Sequence, residues 1–283
     1  MADHTIWLGP VASFQVSGAV VPGSQLHVLQ FHNASQAAPL LARWFDGQQY
    51  LPNMYAELGI APGDNVFFGS FSAGHNVAKA ITKAPGDRAM IRALMLADSA
   101  QSSWADAAHT RGVPPDGYVA FGIDCVTGSG QLMIASDSTH GDGSYAPSSM
   151  TMLSILDAIA AATGGTMGPS ALIPVDIVPP PLSVASAGDL AALDYGQTIS
   201  HEAHALVLAP VLWQRVLTPW YQAGMQNAFW PVGGGGGDGG GDGNPTDAPA
   251  TSSGGGGIGV GTVLGFIGLL GLGALAYKRA RRS

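Results

Sequence analysis

The stretch Asn65-Val66-Phe67-Phe68-Gly69-Ser70-Phe71-Ser72-Ala73-Gly74-His75-Asn76-Val77-Ala78-Lys79-Ala80 constrains the fold of this chain more than any other. Residues 65–69 are an apolar run of strand length, and Val77, Ala80 and Ile81 follow at helical spacing from about Gly74. The residues that separate the two patterns are small apart from Phe71. A strand that turns into a helix with almost no connecting loop belongs to sheets whose strands alternate with helices.

At such a turn the backbone folds back so sharply that bulky side chains two positions before and after its centre would collide. Those positions hold Ser70 and Gly74, and Ser72 lies between them. This is the layout of a nucleophile elbow, which lifts a serine oxygen above the sheet and aims the amide of Ala73, at a helix N-terminus, toward a developing negative charge. A glycine-rich connection with Ser70 and Ser72 merely capping the helix would use the same residues. The rest of the chain has to distinguish the two.

Along the chain, short strands are predicted at residues 5–8 and 14–20, and an interior strand at 26–31. The interior strand ends in His32-Asn33-Ala34-Ser35, ahead of a helix over residues 36–46. A short helix over 51–58 is closed by Gly59. After the elbow helix, residues 91–97 form a buried strand ending at Asp98, and 131–135 another, leading into the loop Ser136-Asp137-Ser138-Thr139-His140-Gly141-Asp142-Gly143. A helix follows at 148–162. A further strand is expected at 172–178, and a last one at 187–196. His201 and His204 then open a final helix capped by Ser200.

The predicted class is therefore α/β, a mostly parallel sheet with helices on both faces, whose chemistry sits at the carboxyl ends of the strands. Asp98, Asp137, Asp142, His201 and His204 all fall at such ends. Taken together, Phe31-His32-Asn33, Ser70-Phe71-Ser72-Ala73-Gly74, acids after later strands and a histidine after the last strand resemble the α/β-hydrolase family. The resemblance covers residues 1–231, although Ser70 stands where the family's pattern has glycine and Asn33 where its His-Gly motif has glycine.

The resemblance implies a serine hydrolase, esterase-like or amidase-like, acting on a small-molecule or polymer acyl substrate. Ser72 would be the nucleophile, His204 the base and Asp98 the acid, with an oxyanion hole from the amides of Ala73 and Asn33. His204 is preferred to His201 because the run Tyr195-Gly196…Glu202-Ala203-His204 resembles the end of some phage and bacterial members. Asp98 is preferred to Asp137 and Asp142 because it directly ends a strongly apolar strand. His201-Glu202-Ala203-His204 spaces its histidines by three rather than the four of zinc-protease helices, so no metal is expected. No cofactor is expected either.

Composition narrows the partners. Charged residues make up 11% of the 283, below the roughly 25% usual for soluble domains. With a net charge of −8 and no basic stripe before the last six positions, nucleic acid is excluded as a partner. The single cysteine, Cys125, reads as a small buried hydrophobe.

Beyond the domain, residues 232–257 are glycine-rich and read as a flexible linker. Residues 258–277 carry no charge and are followed by Lys278-Arg279-Ala280-Arg281-Arg282. Residues 258–283 are therefore expected to be a single transmembrane helix with a basic end, placing the protein in a bacterial envelope or virion membrane. The alternative function is a catalytically inactive hydrolase-fold protein, anchored in the same way, with a structural or binding role in a virion or envelope.

Overall fold

The computed structural model describes residues 1–226 apart from 142, 166 and 169–171. Seven strands form one sheet in the order β2-β1-β3-β4-β5-β7-β6. They are β1 Asp3–Gly9, β2 Gln25–Gln30, β3 Asn65–Phe71, β4 Ala93–Ala97, β5 Leu132–Asp137, β6 Ser183–Ala187 and β7 Leu190–Asp194. All neighbours pair in parallel except β6, which runs antiparallel to β7.

The helices are α1 Ala34–Trp44, α2 Leu51–Leu58, α3 His75–Lys83, α4 Pro85–Ala89, α5 Asp116–Val126 and α6 Ser148–Thr163, followed by a long carboxyl-terminal helix. That helix comprises α7 His201–Ala203, α8 Ala209–Leu212 and α9 Thr218–Gln226, with π-helical turns at His204–Leu208 and Trp213–Leu217 between them.

Alternating strand residues divide the core into two layers, as the period of two demands. Ile6, Leu8, Phe68, Leu94, Leu96 and Met133 face one side and pack with Val77, Ile81, Phe121 and Ile155. On the other, Trp7, Phe67, Met95, Ile134 and Leu193 pack with Leu208, Leu212, Trp213 and Leu217 of the carboxyl-terminal helix. Each fully buried side chain of this size contributes about 1.5–3 kcal/mol relative to exposure. Trp213 closes on Trp7 with ring centroids 5.5 Å apart, and Trp7 donates its indole N–H to the carbonyl of Ala19 at 2.8 Å.

Several sequence expectations are corrected by this arrangement. The fold is a general α/β fold with a seven-stranded mixed sheet and flanking helices, rather than the expected α/β-hydrolase-like class with a membrane helix. Among the described residues no helix is long and apolar enough to cross a membrane. The expected span 258–277 and the linker 232–257 lie outside the described residues. Membrane as a partner, a membrane localisation and the anchored inactive alternative, which needs the same anchor, are withdrawn.

Residues 14–20 are turns, tied by Ala19 N–H to Val16 O at 2.9 Å; Val16 and Ala19 belong to the same core layer as the carboxyl-terminal helix, whereas Phe14 is exposed. The strand predicted as interior is β2, which lies at the sheet edge with only one partner, β1. Residues 172–178 form turns, and of the last strand expected over 187–196 residues 190–194 form β7, while β6 is an unexpected strand before it, joined to β7 through Gly188 at φ +51°. A period-two pattern cannot tell a central strand from an edge strand, because partners across the sheet are chosen by tertiary packing.

Candidate functional site

The end of β3 passes directly into α3 through the turn Ser72–Gly74. Ser72 has φ +49°, a left-handed conformation that costs a side-chain-bearing residue on the order of 1 kcal/mol or more. Its carbonyl is held from two sides, by the Nδ1–H of His75 at 2.9 Å and by the hydroxyl of Ser99 at 3.2 Å. Ser99 Oγ also lies 2.6 Å from Ser70 Oγ, so the serine in place of the usual glycine is fully buried and hydrogen-bonded.

Gly74 explains why the turn tolerates no bulk. A Cβ built there would come within 2.4 Å of the Leu8 carbonyl oxygen and 2.6 Å of Ser70 Oγ. We expect Gly74→Ala to lower stability by about 1–3 kcal/mol in denaturant melts, because the clash is with backbone that cannot swing aside. Unchanged stability would mean that the approach of β1 to the turn is looser than this geometry requires.

Ser72 opens onto a cleft of about 410 Å³ whose walls include Asn33, Ala34, Ala73, His75, Asn76 and Lys79. The elbow serine and both residues expected to supply an oxyanion hole, Ala73 and Asn33, therefore share one concavity. Asn33 is extended, with φ −159°, and its side chain caps α1 by accepting from the Gln36 amide at 3.0 Å.

Across the sheet, Asp98 follows β4 with φ +46°, so strain recurs at the second expected position. Its buried carboxylate accepts from Ser138 Oγ at 2.6 Å, from the Ser138 amide at 3.2 Å and from Ser148 Oγ. His201 Nδ1 lies 2.6 Å from Asp98 Oδ2. Since an ionised carboxylate only accepts, Nδ1 carries the proton and Nε2 is left as the basic nitrogen. Burial alone would push the Asp98 carboxyl up. The hydrogen bonds from His201, Ser138 and Ser148, with the nearby charge of His204, outweigh it and hold the group below the usual carboxylate range.

His204, the base preferred from sequence, is not in this arrangement. Its side chain is fully buried, with Nδ1 3.0 Å from Ser136 Oγ and its ring edge-on to Tyr195. Burial, opposed by the charge of Asp98, depresses its pKa to about 4. His201 is 30% exposed at its side chain, and its ring lies against Phe71, the residue before Ser72, with centroids 4.6 Å apart. Only His201 of the two is open to a bound molecule.

A continuous triad is therefore not what the geometry displays. Among the described residues no hydrogen bond joins the Ser72 hydroxyl to an imidazole, and the expected Ser72–His204–Asp98 relay is corrected on that ground. Asp137 is buried, pushed well up first by burial and then by the charges of Asp98 and Asp194, and holds no histidine. Asp142 lies outside the described residues. Also among the described residues, no group of three or more His, Cys, Asp or Glu side chains is placed to hold a metal ion.

Sequence reasoning missed Ser138 and Ser148, which hold Asp98, and Phe71, which meets His201. Lone serines and a strand phenylalanine carry no signal that separates them from their many equivalents. Compared with protein-family models and with curated proteins, the sequence matches none. The resemblance to α/β hydrolases thus does not amount to membership of that family, and any function rests on the geometry of this chain alone.

Proposed function

We propose that the domain is a serine hydrolase of the esterase-like class, with Ser72 as nucleophile and His201 as base. The expected membrane tether and the assignment of His204 are both dropped. One observation carries this reading. Among the described residues only Ser72, Asp98 and His109 are non-glycine residues with positive φ, and two of these three are at the expected catalytic positions. Strain of this kind persists only where surrounding structure enforces it, and it concentrates at functional sites.

The chemistry asks for few parts. The Ser72 hydroxyl would attack an acyl carbon exposed in the cleft, giving its proton to His201 Nε2. Asp98 would keep the imidazole in the required tautomer and stabilise it when charged, as its short bond to Nδ1 allows. The amide of Ala73, among the first N–H groups of a helical turn and so without an intrahelical acceptor, would bind the oxyanion together with a donor from the Asn33 loop.

A fluorophosphonate probe tests this directly. Attack by Ser72 Oγ on phosphorus expels fluoride and leaves a stable phosphonyl-serine that mass spectrometry locates. Modification at Ser72, lost in His201→Ala and kept in a His204→Phe chain, is expected. An intact protein that stays unmodified at Ser72 would end the proposal.

A further inference from the structure

The cleft beside Ser72 is built largely from amides, hydroxyls and imidazoles, and among the described residues Lys79 is the only lysine or arginine in its wall. Among the described residues no aspartate or glutamate lines it. Lys79 is half-buried and, among the described residues, has no carboxylate within 4 Å. Burial lowers its pKa, which is the mark of an ammonium losing water without gaining a counter-charge. An unpaired cation in a partly desolvated wall is costly, and a ligand anion is what removes that cost.

Position fixes where such an anion would lie. Lys79 is one turn along α3 from His75 and Asn76, on the same face, so its Cα stands about 6 Å further along the helix than that of His75. Helical side chains lean back toward the N-terminus, which brings the ammonium over the turn nearest Ser72. Asn76 donates to the Ala73 carbonyl at 3.0 Å, which fixes its side chain beside the elbow. His75 is held neutral, its pKa depressed to about 4 by burial first and by the charge of Lys79 second, so it adds no second positive charge near pH 7.

Building on the serine-hydrolase reading, we propose that the cleft selects esters bearing a carboxylate a few bonds from the scissile carbonyl, with Lys79 as the specificity-determining residue. Hemiesters of short dicarboxylic acids have the required span and a single negative charge. A dianionic phosphate is the poorer match, because the wall offers one ammonium and no guanidinium to fork two oxygens.

The test compares p-nitrophenyl hemiglutarate with p-nitrophenyl valerate, equal in chain length and differing in the terminal carboxylate. We expect the full chain to favour the hemiglutarate in kcat/KM by roughly tenfold at low salt, a preference that shrinks as ionic strength rises. Lys79→Met is expected to erase that ratio, and Lys79→Arg, which keeps the charge, to restore most of it. A ratio that is unchanged in Lys79→Met, or a wild-type preference for valerate, would overturn the proposal.

Binding separates this claim from the catalytic one. Monomethyl glutarate is titrated into the Ser72→Ala chain, with and without Lys79→Met, and followed by NMR shifts of the α3 amides. Weakening of roughly tenfold on removing Lys79 supports the anion site even if no ester is turned over. Equal binding by the two chains rejects it even if Ser72 proves to be catalytic.

Discussion

Ser72→Ala is expected to lower kcat for a p-nitrophenyl ester by at least about a thousandfold while leaving the thermal midpoint close to that of the parent chain. Removing a nucleophile leaves only the contributions of binding and the oxyanion donors, and losses of that order or more follow. Stability should barely move because the Ser72 hydroxyl makes no hydrogen bond among the described residues, whereas the carbonyl that anchors the turn is retained.

The strained backbone supplies an internal control. Ser72→Gly should be as inactive as Ser72→Ala yet more stable by about 1 kcal/mol, since glycine adopts φ +49° without penalty. Stability rising as activity vanishes is the signature of strain held for function. Wild-type rates in either variant would move the chemistry away from Ser72.

The second large effect is an acid-dependent loss of stability in which the fully buried His204 carries one share and His75, also depressed to about 4, another. In the unfolded chain the His204 imidazole takes a proton near pH 6.5, whereas in the fold burial delays protonation to about 4. Above about pH 6.5 both states are neutral and stability is level. Between 6.5 and 4 only the unfolded state binds the proton, so the share due to His204 falls by about 1.4 kcal/mol per pH unit, on the order of 3 kcal/mol in total.

Asp98 acts in a lower window. Its folded pKa is below the ordinary value of 3.8, so its contribution is present above that value and is lost as pH falls through the folded pKa. Denaturant melts from pH 7 to 4 should therefore report His204 before Asp98. In His204→Phe the slope across that range should flatten by most of the 3 kcal/mol, although the variant forfeits the contact with Ser136 and starts from lower stability. An unaltered slope would assign the acid sensitivity elsewhere, with His75, similarly depressed to about 4, the first group to examine.

These two predictions divide the paired histidines by role, and that division shows where sequence reasoning stops. His201 and His204 are three apart at the start of one helix, a spacing that puts both on roughly one face. Chemistry by itself does not choose between them. The choice is made by β5, which brings Ser136 under His204 and closes it off, and by β3, which brings Phe71 against His201 and leaves it open. Both strands are far away in sequence, so the deciding contacts have no local trace.

What the sequence did determine is the local mechanics of the turn after β3. A run of apolar residues, then mostly small residues, then a helical repeat favours a sharp strand-to-helix turn there, and its physical consequence is that a Cβ placed on Gly74 would come within 2.6 Å of Ser70 Oγ. Asp98 at the end of a fully apolar strand was legible for the same reason: alternation and burial are written in consecutive residues. Tertiary structure alone decided that β2 lies at an edge, that β6 reverses direction, and that Ser138 and Ser148 converge on the Asp98 carboxylate. Each depends on pairing between segments that are distant along the chain, and the free energy that selects such pairings belongs to the assembled sheet rather than to any stretch of it.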